Sequence, residues 1–166
     1  MPETQFTDAI AMLKADHREV EALFERFETS RSQSKRALAE QICNALKIHA
    51  TVEEEIFYPA LENRIEASTS NEAYVEHDAA KVLINDIMAN DEDGELFEAK
   101  VKVLSEEIKH HVQEEEARSE GMFAQAREAG VDLVSLRDAM MSRKQELLAE
   151  LKNGGLPEAE LRVVHA

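Results

Sequence analysis

The stretch from Leu38 to Ala60, LAEQICNALKIHATVEEEIFYPA, decides how the chain folds. Leu38, Ile42, Ala45, His49, Val52, Ile56 and Ala60 recur at spacings of four and three. That period is one stripe of an amphipathic α-helix, not the alternation of a strand. Two residues on this face do not suit an apolar core: His49, and Glu53 four positions later. Pro59 removes a backbone donor late in the segment, so the helix is expected to kink or thin there.

The same period recurs outward in both directions. A first helix, from about Phe6 to Glu28, carries Phe6, Ile10, Leu13, His17, Val20, Phe24 and Phe27. The polar run TSRSQSK (29–35) separates it from the second. EASTSNE (66–72) reads as a loop, with Thr69 and Glu72 forming a capping box for a third helix striped by Ala73, His77, Ala80, Ile84 and Ile87. NDEDG (90–94) reads as a turn into the longest helix, whose stripe is Phe97, Val101, Leu104, Ile108, His111, Glu115, Arg118 and Met122. After Ala129-Gly130 a fifth helix, about 132–152, carries Leu133, Leu136, Met140, Leu147 and Leu151, and Gly154, Gly155 and Pro157 end regular structure. The expectation is one all-α domain, 1–166: an up-down four-helix bundle over 6–129, an additional C-terminal helix over 130–153 and a tail over 154–166. The fifth helix either completes the core or forms a homodimer seam.

Composition narrows the function classes. Five Gly, three Pro and 5% aromatic residues starve a β-fold of turn and strand formers. A net charge of −16 repels phosphate backbones and anionic membranes, so neither nucleic acid nor a membrane is an expected partner. The single cysteine, Cys43, sits among Ile42, Ala45 and Leu46 as a buried inert thiol and points to a reducing compartment. No apolar run approaches transmembrane length, and MPETQFTDAI lacks the character of a signal peptide, so the expected location is cytoplasmic.

The chemistry lies in which polar residues fall on the stripes. His17, His49, His77 and His111 give each of the four main helices one inward histidine, while His110 and His165 do not fit. Glu53 follows His49 by four and Glu115 follows His111 by four, so two helices each present an imidazole and a carboxylate on one face. A lone histidine on an apolar face is more often a satisfied core residue, and a lone His-x-x-x-Glu means little in so acidic a chain. Their coincidence on all four helices is what points to metal. Imidazole suits iron, zinc, copper or nickel, and carboxylates favour iron or manganese. Six ligands exceed the needs of one tetrahedral zinc, and two carboxylates able to bridge imply two metals.

These residues resemble the hemerythrin-like (HHE cation-binding) family. The likeness is carried by Asp16-His17, by His49-Ala50-Thr51-Val52-Glu53 with Phe57-Tyr58-Pro59, by Glu76-His77, and by His111-Val112-Gln113-Glu114-Glu115. The resemblance implies a bundle holding two non-haem irons (Fe2+/Fe3+) joined by an oxo or hydroxo bridge. By position, Glu53 and Glu115 match the bridging carboxylates, His17 and His49 the ligands of one iron, and His77 and His111 those of the other. Two departures stand out. The oxygen carriers have a His-x-x-x-His pair on the third helix, whereas the positions four from His77 are Ala73 and Lys81; water fills the vacancy, or Tyr74 does. The last acidic ligand is also one residue earlier than in the carriers.

Losing a histidine opens exchangeable positions on both metals. Three functions remain open on these residues: a di-iron protein that binds or senses dioxygen, nitric oxide or peroxide, or serves iron homeostasis; a peroxide-degrading, catalase-like enzyme; and a metal-free helical interaction module.

Overall fold

The computed structural model describes residues 6–90 and 94–165. Four long helices form the bundle: α1 (Ala9–Thr29), α2 (Ser32–Val52), α4 (Ala67–Ala89) and α5 (Glu95–Glu116). They pack in the ring α1–α2–α4–α5 and back to α1, and no strand occurs among the described residues. The predicted stripes supply most of the interior. From α1, Ile10, Leu13, His17, Val20, Phe24 and Phe27 are buried, and from α4, Ala73, His77, Ala80, Ile84 and Ile87. Asp8 caps α1 by accepting the Ala11 N–H at 2.9 Å, which satisfies one of the donors left free at a helix start. No helix of the described residues is long and apolar enough to cross a membrane.

The core falls into two apolar layers with the polar residues between them. One layer joins Ile10, Leu13, Val52, Phe57, Leu61 and Met122; the other joins Val20, Phe24, Ile42, Ile84, Phe97 and Leu104. Cys43 belongs to the second layer, and burial pushes its thiol up to about 12, which suppresses thiolate chemistry at neutral pH.

Four local expectations are corrected. EASTSNE is not a loop: α4 begins at Ala67, and the backbone N–H of its N-cap, Glu66, donates to Gln125 Oε1 at 2.9 Å. Thr69 therefore lies inside the helix, where its Oγ1 accepts from Gln125 Nε2, and it makes no capping box. The longest predicted helix is two, because α5 stops at Glu116 and α6 spans Met122–Glu128. A side chain at Gly121 would stand 2.4 Å from the Ala117 carbonyl oxygen, so only glycine permits this sharp return, and Arg118 is left exposed rather than on the core stripe. The NDEDG turn can be followed only at its ends: Asn90 closes α4 and Gly94 opens α5, while 91–93 lie outside the described residues.

The fourth correction concerns α2. Its axis continues through a π-helical turn, Glu53–Phe57, into the single turn α3 (Tyr58–Leu61). Pro59 cannot donate a backbone bond, and the wide turn just before it takes up one extra residue. The buried face shifts accordingly: Phe57, Tyr58 and Leu61 are buried, whereas Ile56 and Ala60 are only half-buried.

The fifth predicted helix is α7 (Leu133–Lys152), which lies against α1, α2 and the π-turn of its own chain. Leu133, Met140 and Leu147 are buried there, so the apolar stripe is covered within the monomer. Residues 154–165 have no regular structure but are tied to α4: Asp78 accepts the N–H groups of Arg162, Val163 and Val164 at 2.7–3.0 Å. Met140 is fully buried, so Met140→Ala is expected to cost about 2–5 kcal/mol. Val134→Ala, on the 50% exposed outer face of the same helix, should stay within about 0.5 kcal/mol. Urea unfolding of both variants checks the docking of α7.

Candidate metal centre

Between the two apolar layers, the four histidines and two glutamates singled out as ligands come together. His17 on α1, His49 on α2, His77 on α4 and His111 on α5 are all buried, as are Glu53 at 0% and Glu115 at 2% exposure. His17, His49, Glu53 and Glu115 form one group with ligand atoms within 4.8 Å of one another, and Glu53, His77 and His111 form a second. Glu53 belongs to both. Glu115 spans them with its two oxygens, Oε1 3.3 Å from His17 Nε2 and Oε2 3.3 Å from His111 Nε2.

The four imidazoles share one arrangement. Each Nδ1–H donates to a carboxylate: His17 to Glu116 at 2.6 Å, His49 to Asp16 at 3.0 Å, His77 to Glu54 at 2.6 Å and His111 to Glu76 at 2.8 Å. That bond fixes the ring and turns Nε2 inward, which is how metal-binding histidines are held. The acids are held from outside in turn. Lys144 of α7 donates to Asp16 at 2.7 Å, Arg18 to Glu116 at 2.7 Å and Lys81 to Glu54 at 2.8 Å.

The inward atoms are close without being bonded to each other. His49 Nε2 lies 3.1 Å from Glu53 Oε1, yet neither atom makes a hydrogen bond, and the same holds for His17 Nε2 and Glu115 Oε1. Glu53 Oε2 is likewise without a partner. Buried polar atoms left unsatisfied are costly, and five of them aimed at a shared centre suit cations as the missing partner. The donor set therefore fits a pair of metal ions.

One residue at the centre was not anticipated. Tyr58 Oη donates to Glu115 Oε2 at 2.7 Å and stands 3.1 Å from His77 Nε2 and 3.3 Å from His111 Nε2. It occupies the side of the second group where the sequence left a ligand position open. Tyr74, the residue considered there, instead meets the Tyr58 ring edge-on at 5.3 Å and lies under the Arg162 guanidinium. Burial first, and then the charges of Glu115 and Glu53, push the Tyr58 phenol well above its ordinary value, so it remains a proton donor. Glu54 and Glu116 are also part of the site's support, whereas their neighbours Glu55 and Glu114 are exposed.

Electrostatics bind the cluster together. Burial works against charge on Glu53 and Glu115, and for Glu53 the neighbouring Glu115 adds to it, yet the surrounding imidazoles hold both acids below the ordinary carboxylate range. Burial alone would push His49 down, but the nearby charge of Glu53 and the bond to Asp16 raise it to about 10. Asp16, despite burial, is drawn down to about 2 by His49 and Lys144.

A cavity of about 360 Å³ reaches His17, His49, His77 and His111 from the α7 side. On the opposite side, a cleft of about 300 Å³ rimmed by Glu66, Glu72, Glu76, Glu114 and Glu120 reaches His111 and Glu115.

Residues 8–125 match the model of the hemerythrin HHE cation-binding domain. The chain belongs to this hemerythrin HHE family. The fold is also that of the crystal structure of a hemerythrin HHE cation-binding domain-containing protein, an Rv2633c homologue from Mycobacterium kansasii. The two superpose with a TM-score of 0.72 at 18% identity, covering 91% of this chain and 96% of that one. A curated relative, a DNA nickase of Nostoc sp., is 29% identical over 107 residues, which is 64% of this chain and 30% of the nickase. The chain thus matches less than a third of that relative's length.

Metal uptake at pH 7 is expected to release protons. With its pKa near 10, His49 is protonated in the metal-free chain and must lose that proton to coordinate. Titration calorimetry in buffers of different ionisation enthalpy counts the protons, and uptake should weaken from pH 7 to pH 5. Stability of the metal-free chain runs the other way: the His49 contribution is full below about 6.5 and is lost as pH rises through about 10.

Proposed function

We propose that this hemerythrin HHE chain is a non-haem dinuclear iron protein that binds or senses a small oxygen or nitrogen species. The carrying observation is the set of four Nδ1–carboxylate pairs, which turns four Nε2 atoms onto Glu53, whose two oxygens lack hydrogen-bond partners, and onto Glu115, whose Oε1 lacks one. In this reading Glu53 and Glu115 would be shared between the two ions, His17 and His49 would help hold one, and His77 and His111 would help hold the other, on the side where Tyr58 Oη stands. Imidazole and carboxylate donors together suit non-haem iron, and six of them exceed what one tetrahedral zinc takes; bound iron would supply redox chemistry toward oxygen species.

Tyr58 favours peroxide decomposition as a second reading. A neutral phenol is a weaker ligand than a histidine, so it yields its place more readily, and it holds a proton at the Oη that faces His77 and His111. The reaction, two hydrogen peroxide to two water and one dioxygen, needs no outside reductant. Nicking of DNA belongs to the Nostoc relative; a chain of net charge −16 gives a phosphate backbone little purchase.

Two irons per chain, with near-ultraviolet absorption of an oxo-bridged ferric pair after exposure to air, are the expected result of ferrous loading. One zinc and no absorption would sink the reading. Asp16→Asn and Glu54→Gln should each weaken metal affinity about 10- to 100-fold. If the loaded chain evolves oxygen from peroxide, Tyr58→Phe should slow it roughly 100-fold at unchanged iron content. Reversible oxygen binding without turnover would dismiss the peroxide reading alone.

A further inference from the structure

The cavity on the α7 side is larger than a diatomic or peroxide ligand needs. It measures about 360 Å³, whereas one water takes up about 30 Å³ of the liquid and pockets for organic molecules begin near ~300 Å³. The four imidazoles form its inner end, Val20, Leu46, Ile84, Ile108 and Val112 give it apolar walls, and Leu156 and Pro157 of the C-terminal segment line its outer part.

One lining residue is out of place among these. Lys47 is buried, at 8% exposure, and its ammonium has a single hydrogen bond, to the Leu156 carbonyl at 3.5 Å. The other lysine and arginine on the cavity wall are neutralised: Lys81 holds Glu54 at 2.8 Å and Arg143 holds Glu55 at 2.7 Å. Among the described residues, Lys47 has no carboxylate within salt-bridge distance, and the acid whose charge bears on it, Glu158, is exposed at the rim with Glu150 and Glu160. A buried ammonium with spare donors is costly, and a methionine would fill the same space without that cost. Salt screens the exposed rim more than the buried ammonium.

We propose that this cavity binds a medium-chain monocarboxylate, with the carboxylate on Lys47 Nζ and the alkyl chain along the apolar wall toward the imidazoles. The proposal rests on the dinuclear reading only for what the far end of the chain meets. The pocket itself belongs to the folded chain.

Octanoate titrated calorimetrically into the full chain, with and without iron, is expected to bind saturably, and 1-octanol about tenfold more weakly. Lys47→Met should remove about tenfold of the octanoate affinity and leave octanol affinity, helix content and metal uptake unchanged. In the ferrous-loaded chain kept from air, the terminal methyl of octanoate should broaden in proton spectra more than the methylene beside the carboxylate. Absence of saturable binding, equal affinity for acid and alcohol, or indifference to Lys47→Met overturns the proposal, and stronger broadening at the carboxylate end overturns its orientation. Octanoate binding to a chain that takes up no iron supports the pocket while sinking the dinuclear reading alone.

Discussion

Glu53 and Glu115 are two carboxylates shut away from water and close enough for the charge of one to oppose the charge of the other. Neither apolar layer of the bundle offers them anything, so their charge has to be met within the polar layer itself. In the metal-free chain His49, His77 and His111 do this: despite burial, the acids around them hold each above the ordinary imidazole value. Two divalent cations would do it better, because they approach both carboxylates at once and need no proton on the rings. The organisation of the interior follows from this demand. An inner layer of acids is ringed by imidazoles, the imidazoles by Asp16, Glu54, Glu76 and Glu116, and three of those acids by Lys144, Lys81 and Arg18. Sign alternates outward until the last charges reach solvent.

That alternation explains why elements outside the bundle matter to the centre. Lys144 comes from α7, so the fifth helix steadies His49 through Asp16 as well as covering the apolar faces of α1 and α2. The C-terminal segment supports the His77 half of the centre: the Glu160 carbonyl accepts from Lys81, and Arg162 lies 3.8 Å from Glu54. The break between α5 and α6 serves the same end. By folding back at Gly121, the chain lays the Phe123 ring over His17, with centroids 5.9 Å apart and planes 11° from parallel. A continuous α5 would have carried that ring away.

What the sequence disclosed and what it hid divide along physical lines. The four-and-three spacing of apolar residues located the helices, and an imidazole or carboxylate on such a stripe was visible because its neighbours are apolar. His17, His49, Glu53, His77, His111 and Glu115 were legible for that reason. The acids bonded to Nδ1 were not, because Glu54 and Glu116 look like their exposed neighbours Glu55 and Glu114. Asp16 and Glu76 were noticed only as neighbours of His17 and His77, yet they serve His49 and His111 on the adjoining helices. A residue next to a histidine points about 100° away from it on the same helix, toward the next helix in the ring. Polarity also misled at Glu66–Glu72, where a helix start facing solvent and Gln125 has the composition of a loop.

Tyr58 was hidden by a different cause, and it bears most on reactivity. In an uninterrupted helix Tyr58 would lie about 140° round from Glu53, off the inward face. The π-turn over Glu53–Phe57 absorbs one residue and turns Tyr58 back into the centre. The lost helical register thus places a hydroxyl 3.1 Å from His77 Nε2 and 3.3 Å from His111 Nε2, in the half of the centre that has one histidine fewer than the resemblance leads one to expect. An imidazole in that place would be a neutral donor of full strength. The phenol is bonded to Glu115 and kept protonated by burial and the nearby acids, so it is a weak donor that also carries a proton. The two halves of the centre therefore differ: His17 and His49 serve one group, while the His77–His111 side has a residue able to step aside. An incoming oxygen species would meet an exchangeable position and a proton source together, which suits a reactive centre better than one that must release its ligand unchanged.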